Sequence, residues 1–229
     1  MIDKRWHEKA EEKWDNFSGN WGQRSEKMWK EGSRKTVLPF MQSFVPEGSA
    51  VLDIGCGDGE GSEMLRRSGY NVTGIDISSK MIEMAKERWS GIHFQQADLA
   101  DLPFEDATFD SVMAINCLEW VASPLHGLKE IHRVVKPGGV MVAGILGPAA
   151  GPRSNSYPRL EGEDIVCNTM MPWEFERLAG THGWTVEGMS SVPKEGAPDN
   201  LSTPMLEQAV SFMTLFALRK TNGDVSEQG

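Results

Sequence analysis

The chain has 229 residues, 39% of them hydrophobic and 24% charged, enough for one large domain whose core needs no disulfide or metal staple. A formal net charge of −10 opposes nucleic-acid phosphate and anionic membranes, so neither is expected as a partner. No apolar run approaches the roughly 20 residues of a membrane span, the charged N-terminus has no signal-peptide core, and Cys56, Cys117 and Cys167 form no C-x-x-C pair; a cytoplasmic enzyme is the expectation.

The first 35 residues carry nine Lys or Arg against seven Asp or Glu, too small a surplus for a nucleic-acid arm. Trp6, Ala10, Trp14, Phe17 and Trp21 recur at helical spacing and form one apolar stripe. A second helix is expected over 25–44, with Trp29, Val37, Phe40 and Phe44 on one face. Residues 1–45 then read as a helical segment that either packs on the main domain or covers it as a lid.

From residue 46 short apolar runs alternate with helix-period segments, the pattern of a parallel sheet flanked by helices. Strands are expected at 49–54, 71–75, 92–96, 109–115 and 140–146. Gly69 suits the left-handed end of the first helix, Ser78 or Ser79 caps the second, and Ser123-Pro124 opens a third that the Lys136–Gly139 turn stops. Residues 147–171 break the rhythm, and a connection this long is usually functional. A helix over 172–182 and strands at 184–192 and 208–219 follow. The main domain ends at 220, and the polar tail 221–229 reads as disordered.

The first strand runs into Gly55-Cys-Gly-Asp-Gly59, where glycines permit a tight turn and close backbone approach to a ligand. Asp76 ends the second strand, where an acid can accept from two ribose hydroxyls. Nicotinamide and adenosyl ligands share both features, and an isolated Asp53 or Asp98 reads equally well as a strand-end turn former.

Taken in order, VLDIGCGDG, GIDIS, QADLADLPF, FDSVMAINCLEW and RVVKPGG resemble the class I S-adenosylmethionine methyltransferases. Within these the chain looks closest to the small-molecule group that includes the ubiquinone and menaquinone biosynthetic enzymes. The resemblance covers residues 48–146. It implies an α/β, doubly wound, mostly parallel seven-stranded sheet with an antiparallel last strand, S-adenosyl-L-methionine as cofactor, and a small-molecule methyl acceptor. It also implies that Gly55, Gly57 and Gly59 pass the methionyl part and that Asp53 helps hold the amino group. Asp76 matches the ribose acid with Ile77 beside the adenine, and Asp98 the acceptor from the adenine amino group with Leu99 at the ring. Asn116 falls at the methionyl end, and Arg34 can meet the carboxylate.

Cys117-Leu-Glu-Trp-Val departs from the histidine-containing pattern usual at that place, which weakens any transfer of a quinone substrate. Glu119 and Trp120 either face the acceptor or pad the strand exit. Methyl transfer from a sulfonium needs alignment and water exclusion before it needs a base. His7, His126, His132 and His182 are scattered, with His126 and His132 on a helix expected to flank the sheet away from the site, so no catalytic residue and no metal are assigned. Trp14, Trp21, Arg153, Tyr157 and Arg159 are expected around the acceptor. The rival readings are a nicotinamide oxidoreductase, disfavoured by the lack of Tyr-x-x-x-Lys, and a non-catalytic adenosylmethionine-binding protein.

Overall fold

The computed structural model describes residues 4–198 and 201–221; all of the expected tail beyond Thr221 lies outside them. Seven strands form one sheet: β1 Ala50–Ile54, β2 Asn71–Asp76, β3 His93–Gln96, β4 Phe109–Ile115, β5 Val135–Leu146, β6 Trp184–Pro193 and β7 Ser211–Lys220, ordered β3-β2-β1-β4-β5-β7-β6. Only β7 runs against its neighbours β5 and β6. The order reverses between β1 and β4, and that switch point opens a crevice beyond the carboxyl ends of the strands.

Adjacent residues of β1 show why the sheet must be covered on both faces. Side chains alternate across a strand. Val51 joins Met113, Val142, Val37, Met41 and Leu65 on one side, while Leu52 joins Val112, Met141, Leu128 and Ile131 on the other. Both are fully buried, which is the burial of a parallel sheet with helices on each face. The helices are α1 Lys4–Phe17, α2 Trp21–Lys30, α3 Val37–Gln42, α4 Glu60–Arg67, α5 Ser79–Arg88, α6 Pro124–Val134, α7 Pro172–Gly180 and α8 Pro204–Ala209.

The local signals act as chemistry requires. Gly69, at φ +87°, follows α4; the Ser78 hydroxyl accepts from Met81 N at 3.1 Å, and the Ser123 hydroxyl from His126 N at 3.3 Å. Residues 136–139 bulge between Val135, paired with Phe109, and Val140, paired with Ser111. This keeps the expected turn although β5 starts before it.

Two expected elements differ. The helix over 25–44 is two helices, because the chain turns back at Gly32, whose N–H bonds the Lys27 carbonyl at 2.9 Å. The strand from 208 begins at Ser211, because Thr203 caps α8, its hydroxyl accepting from Leu206 N at 3.3 Å with Pro204 at the first helical position. The long connection contains a 3-10 segment, Gly151–Glu161. Among the described residues no helix is long and apolar enough to cross a membrane.

Candidate active site

A cleft of about 710 Å³ opens at the switch point. Its wall contains Ile54 from β1 and Gly55 just after it, Ile75 and Asp76 from β2, Asp98 just after β3, and Ile115 from β4 with Asn116 just after it. Of the ten residues expected at a cofactor, the structure brings eight to this wall: Gly55, Gly57, Asp76, Ile77, Asp98, Leu99, Asn116 and Arg34.

Asp53 and Gly59 lie behind the wall. Asp53 is buried and accepts from the Ser62 hydroxyl at 2.5 Å. Burial pushes its carboxyl up to about 7, against the Ser62 hydrogen bond and the positive charge of Arg34. Gly59 packs against Trp89 and Phe94, where an added Cβ would come within 2.7 and 2.8 Å. Its service is close packing of the turn on α5 and β3. Asp58, the acid inside the turn, is held by Ser25 of α2 at 2.7 Å and by Arg88 of α5, so it ties two helices to the turn.

The floor of the cleft is set by backbone. Gly55 and Gly57 have φ of +71° and +56°, in the left-handed region where a side chain is disfavoured. An added Cβ on Gly55 would also stand 2.7 Å from Cys117 Cβ. Asp76 accepts from Gly57 N and Ser78 N, each at 2.9 Å, which aims its carboxylate at the turn. Burial raises its pKa, and those backbone donors pull the other way. Asn116 takes φ +54°, which asparagine tolerates, while its side chain donates to the Gly144 carbonyl at 3.1 Å.

The roof is α1. Trp6 Nε1 donates to the Trp120 carbonyl at 2.7 Å, and His7 Nδ1 lies 2.8 Å from Asp98 Oδ2. Glu11 accepts from Gln96 at 2.8 Å, and Asp15 from the Ser78 hydroxyl at 2.5 Å. All four partners stand at strand exits around the cleft. Trp14 sits edge-on to Trp21 and Trp120, with ring centroids 5.9 and 5.2 Å away.

Several site residues differ from expectation. His126 does not point away: its ring bonds the Ala100 carbonyl at 2.9 Å and borders a side cleft with His7 and Asp98. Glu119 does not face the cleft. It is buried, accepts from Leu146 N with one oxygen, and leaves the other unpartnered. Burial pushes its carboxyl up to about 7. Arg153 donates to the Leu146 and Met170 carbonyls, and Arg159 to Ser156, while Tyr157 stands 58% exposed. None of the three lines a described cleft. Missed from the sequence was Asn168, whose amide donates to the Leu118 and Val121 carbonyls at 2.7 and 2.9 Å and docks the long connection on the β4 exit.

Comparison with known proteins decides between the adenosyl and nicotinamide readings of this cleft. Residues 52–143 match the methyltransferase domain family. That stretch is similar to the methyltransferase domains of the class I, S-adenosylmethionine-dependent kind. The chain is 36% identical over 121 residues to a demethylmenaquinone methyltransferase of Clavibacter sepedonicus, covering 52% of this chain and 47% of that protein. It is 31% identical over 157 residues to a malonyl-[acyl-carrier protein] O-methyltransferase of Erwinia billingiae, covering 68% and 62%. The chain spans about half the length of most of the curated relatives it matches. The fold extends further than the sequence match. A chain from the Haloferax volcanii complex of the Trm112 methyltransferase activator with a methyltransferase superposes with a TM-score of 0.74, at 23% identity, covering 94% of this chain and 98% of that one.

The cleft fits S-adenosylmethionine on its own features. Two left-handed glycines leave room for a ligand against backbone, a half-buried carboxylate stands at the β2 exit, and Trp21 Nε1, beside Gly57, is a buried donor without a partner. A buried N–H left unpaired costs about 1–3 kcal/mol, which a polar ligand group in the cleft would offset.

Proposed function

We propose that this chain transfers a methyl group from S-adenosyl-L-methionine to a small-molecule acceptor in the cytoplasm. When bound, the cofactor supplies a methyl group already activated on a sulfonium; the acceptor lone pair forms the new C–X bond as the S–CH3 bond breaks, its electron pair returning to sulfur. The chain's own work is binding, alignment and exclusion of water.

In this reading Asp76 accepts from both ribose hydroxyls, Ile77 and Leu99 flank the adenine, and Asp98 accepts from its amino group. Gly55 and Gly57 pass the methionyl part, Asn116 lies at its end, and Arg34 meets its carboxylate. Asp53 helps hold the amino group from behind the wall, and Gly59 acts through packing. Residues 1–45 form the lid, with α1 closing the adenosyl side, and 147–171 caps the acceptor side. The relatives' names place their methyl groups on demethylmenaquinone and malonyl-[acyl-carrier protein]. From them we take for this chain only that the acceptor is not a nucleic acid.

The observation that carries the reading is Asp76, a half-buried carboxylate at the β2 exit, oriented by two backbone donors and facing the cleft. Hydrogen bonds to a charged group contribute roughly 1.5–3 kcal/mol each, so Asp76→Ala should weaken S-adenosylhomocysteine binding by about tenfold to several hundredfold. Calorimetric titration checks this. Parent affinity retained in Asp76→Ala, or NAD binding more tightly than S-adenosylmethionine, would refute the assignment.

A further inference from the structure

A second cleft, about 1220 Å³ in open volume, adjoins the first on the side of the long connection. The two share Trp14, Trp21, Arg34, Asn116 and Trp120, so those five residues form the junction between them. The outer cleft is lined by four cations, Lys13, Arg24, Arg34 and Lys194, and by no aspartate or glutamate. In a chain with 33 acids against 23 Lys and Arg, this is a local inversion of charge.

Several cations elsewhere form ion pairs. Lys30 pairs with Glu26, Arg66 and Arg67 with Glu63, Arg88 with Asp58 and Glu60, Lys136 with Asp110, and Arg219 with Glu187. Among the described residues no carboxylate forms an ion pair with Lys13, Arg24, Arg34 or Lys194. Lys13 is drawn inward: its ammonium lies 5.1 Å from the Trp120 ring centroid, and burial lowers its pKa. Its outer side borders a surface groove containing Glu12, Glu163 and Asp164. Arg34 stands over Trp21 and Trp29, 5.7 and 5.6 Å from their ring centroids. The remaining walls are largely apolar, including Phe17, Met28, Leu146 and Phe212.

The geometry points to an acceptor that is a small organic anion with a planar or otherwise apolar body. The inference rests on the methyltransferase reading for which end reacts. The apolar body lies along Phe17, Leu146 and Phe212, the charged group meets Lys13, Arg24 and Lys194 at the mouth, and the accepting atom reaches the junction beside Asn116. Arg34, at that junction, is left for the cofactor carboxylate. The junction holds no carboxylate or histidine to take a proton, so the accepting atom arrives with its lone pair free. A cleft with one sign of charge and low-dielectric walls also concentrates ions of the opposite sign.

The test uses two fluorescent probes of matched body, the anion 8-anilinonaphthalene-1-sulfonate and the neutral N-phenyl-1-naphthylamine, titrated into the full chain saturated with S-adenosylhomocysteine. The anion should bind more tightly than the neutral probe and lose affinity with added salt. Replacing Lys13, Arg24 and Lys194 together by Gln should weaken the anion about tenfold, roughly a factor of two for each partly exposed cation. The neutral probe should stay within about twofold, and S-adenosylhomocysteine affinity should not change, because these three residues do not line the first cleft. Equal binding of the two probes, an anion unaffected by the triple substitution, or displacement of the anion by S-adenosylhomocysteine would overturn the proposal. Failure of S-adenosylhomocysteine to bind at all would instead overturn the methyltransferase reading beneath it.

Discussion

The floor and the roof of the first cleft are held by different kinds of contact. The floor is backbone: Gly55 and Gly57 in left-handed geometry, with Asp76 bonded to the Gly57 and Ser78 amides. The roof is side chain: Trp6, His7, Glu11 and Asp15 of α1 reach Trp120, Asp98, Gln96 and Ser78, partners 63 to 114 residues away. A backbone floor tolerates no added carbon, whereas a strapped roof can lose one tie and keep its shape. The floor is therefore where single substitutions should cost most, and the roof where they should change rates before stability.

Gly55→Ala should be the most damaging single change. It forces a Cβ into the left-handed region and to 2.7 Å from Cys117 Cβ. Strain and overpacking together should cost about 2–4 kcal/mol. Denaturant unfolding would show this as a lowered midpoint, with loss of S-adenosylhomocysteine binding where the protein still folds. A midpoint within error of the parent would mean that the floor yields.

The floor and its surroundings also carry a pH signature. Burial raises the Glu119 carboxyl from 4.5 to about 7, so the folded state holds a proton that the unfolded chain has already released. The contribution of this group to stability is then largest below about pH 4.5 and falls as pH rises through about 7, by up to about 3 kcal/mol for a shift of this size. Asp53, raised to about 7 by the same cause, adds to the same slope. Glu119→Gln should flatten the decline between pH 5 and 8, leaving the part due to Asp53. Melting curves across that range check it; an unchanged slope would place the titration elsewhere.

The same contrast separates what the sequence made legible from what it did not. Glycines with positive φ, the capping serines and the alternating buried runs are local rules, and the seven strands and the glycine turn follow from them; the acids Asp76 and Asp98 were placed by the family resemblance. The straps of α1 are not local. Nothing in His7 or Asp15 announces Asp98 or Ser78 until β2 and β3 are laid side by side. Arg153 and Arg159 were expected at the acceptor because the connection that carries them can reach the carboxyl edge of the sheet. The structure spends them on carbonyls of the loop and of the β5 end. The cations of the outer cleft come from α1, α2, the turn between α2 and α3, and the residue after β6, four places with no common motif. Thr203-Pro204, by contrast, was a readable helix start, masked by the aromatic and β-branched run behind it.

Whether α1 retains the ligand is what most directly separates roof from floor. Trp6→Phe, His7→Ala and Asp15→Ala combined in the full chain remove three of the four ties without altering any glycine or acid of the floor. Stopped-flow displacement of S-adenosylhomocysteine, with melting curves recorded without ligand, separates roof from floor. Loss of three partly exposed hydrogen bonds at about 0.5–1.5 kcal/mol each should raise the dissociation rate by about tenfold or more, while the association rate and the unfolding of the sheet change little. A dissociation rate equal to the parent's would contradict the account and leave α1 as packing alone.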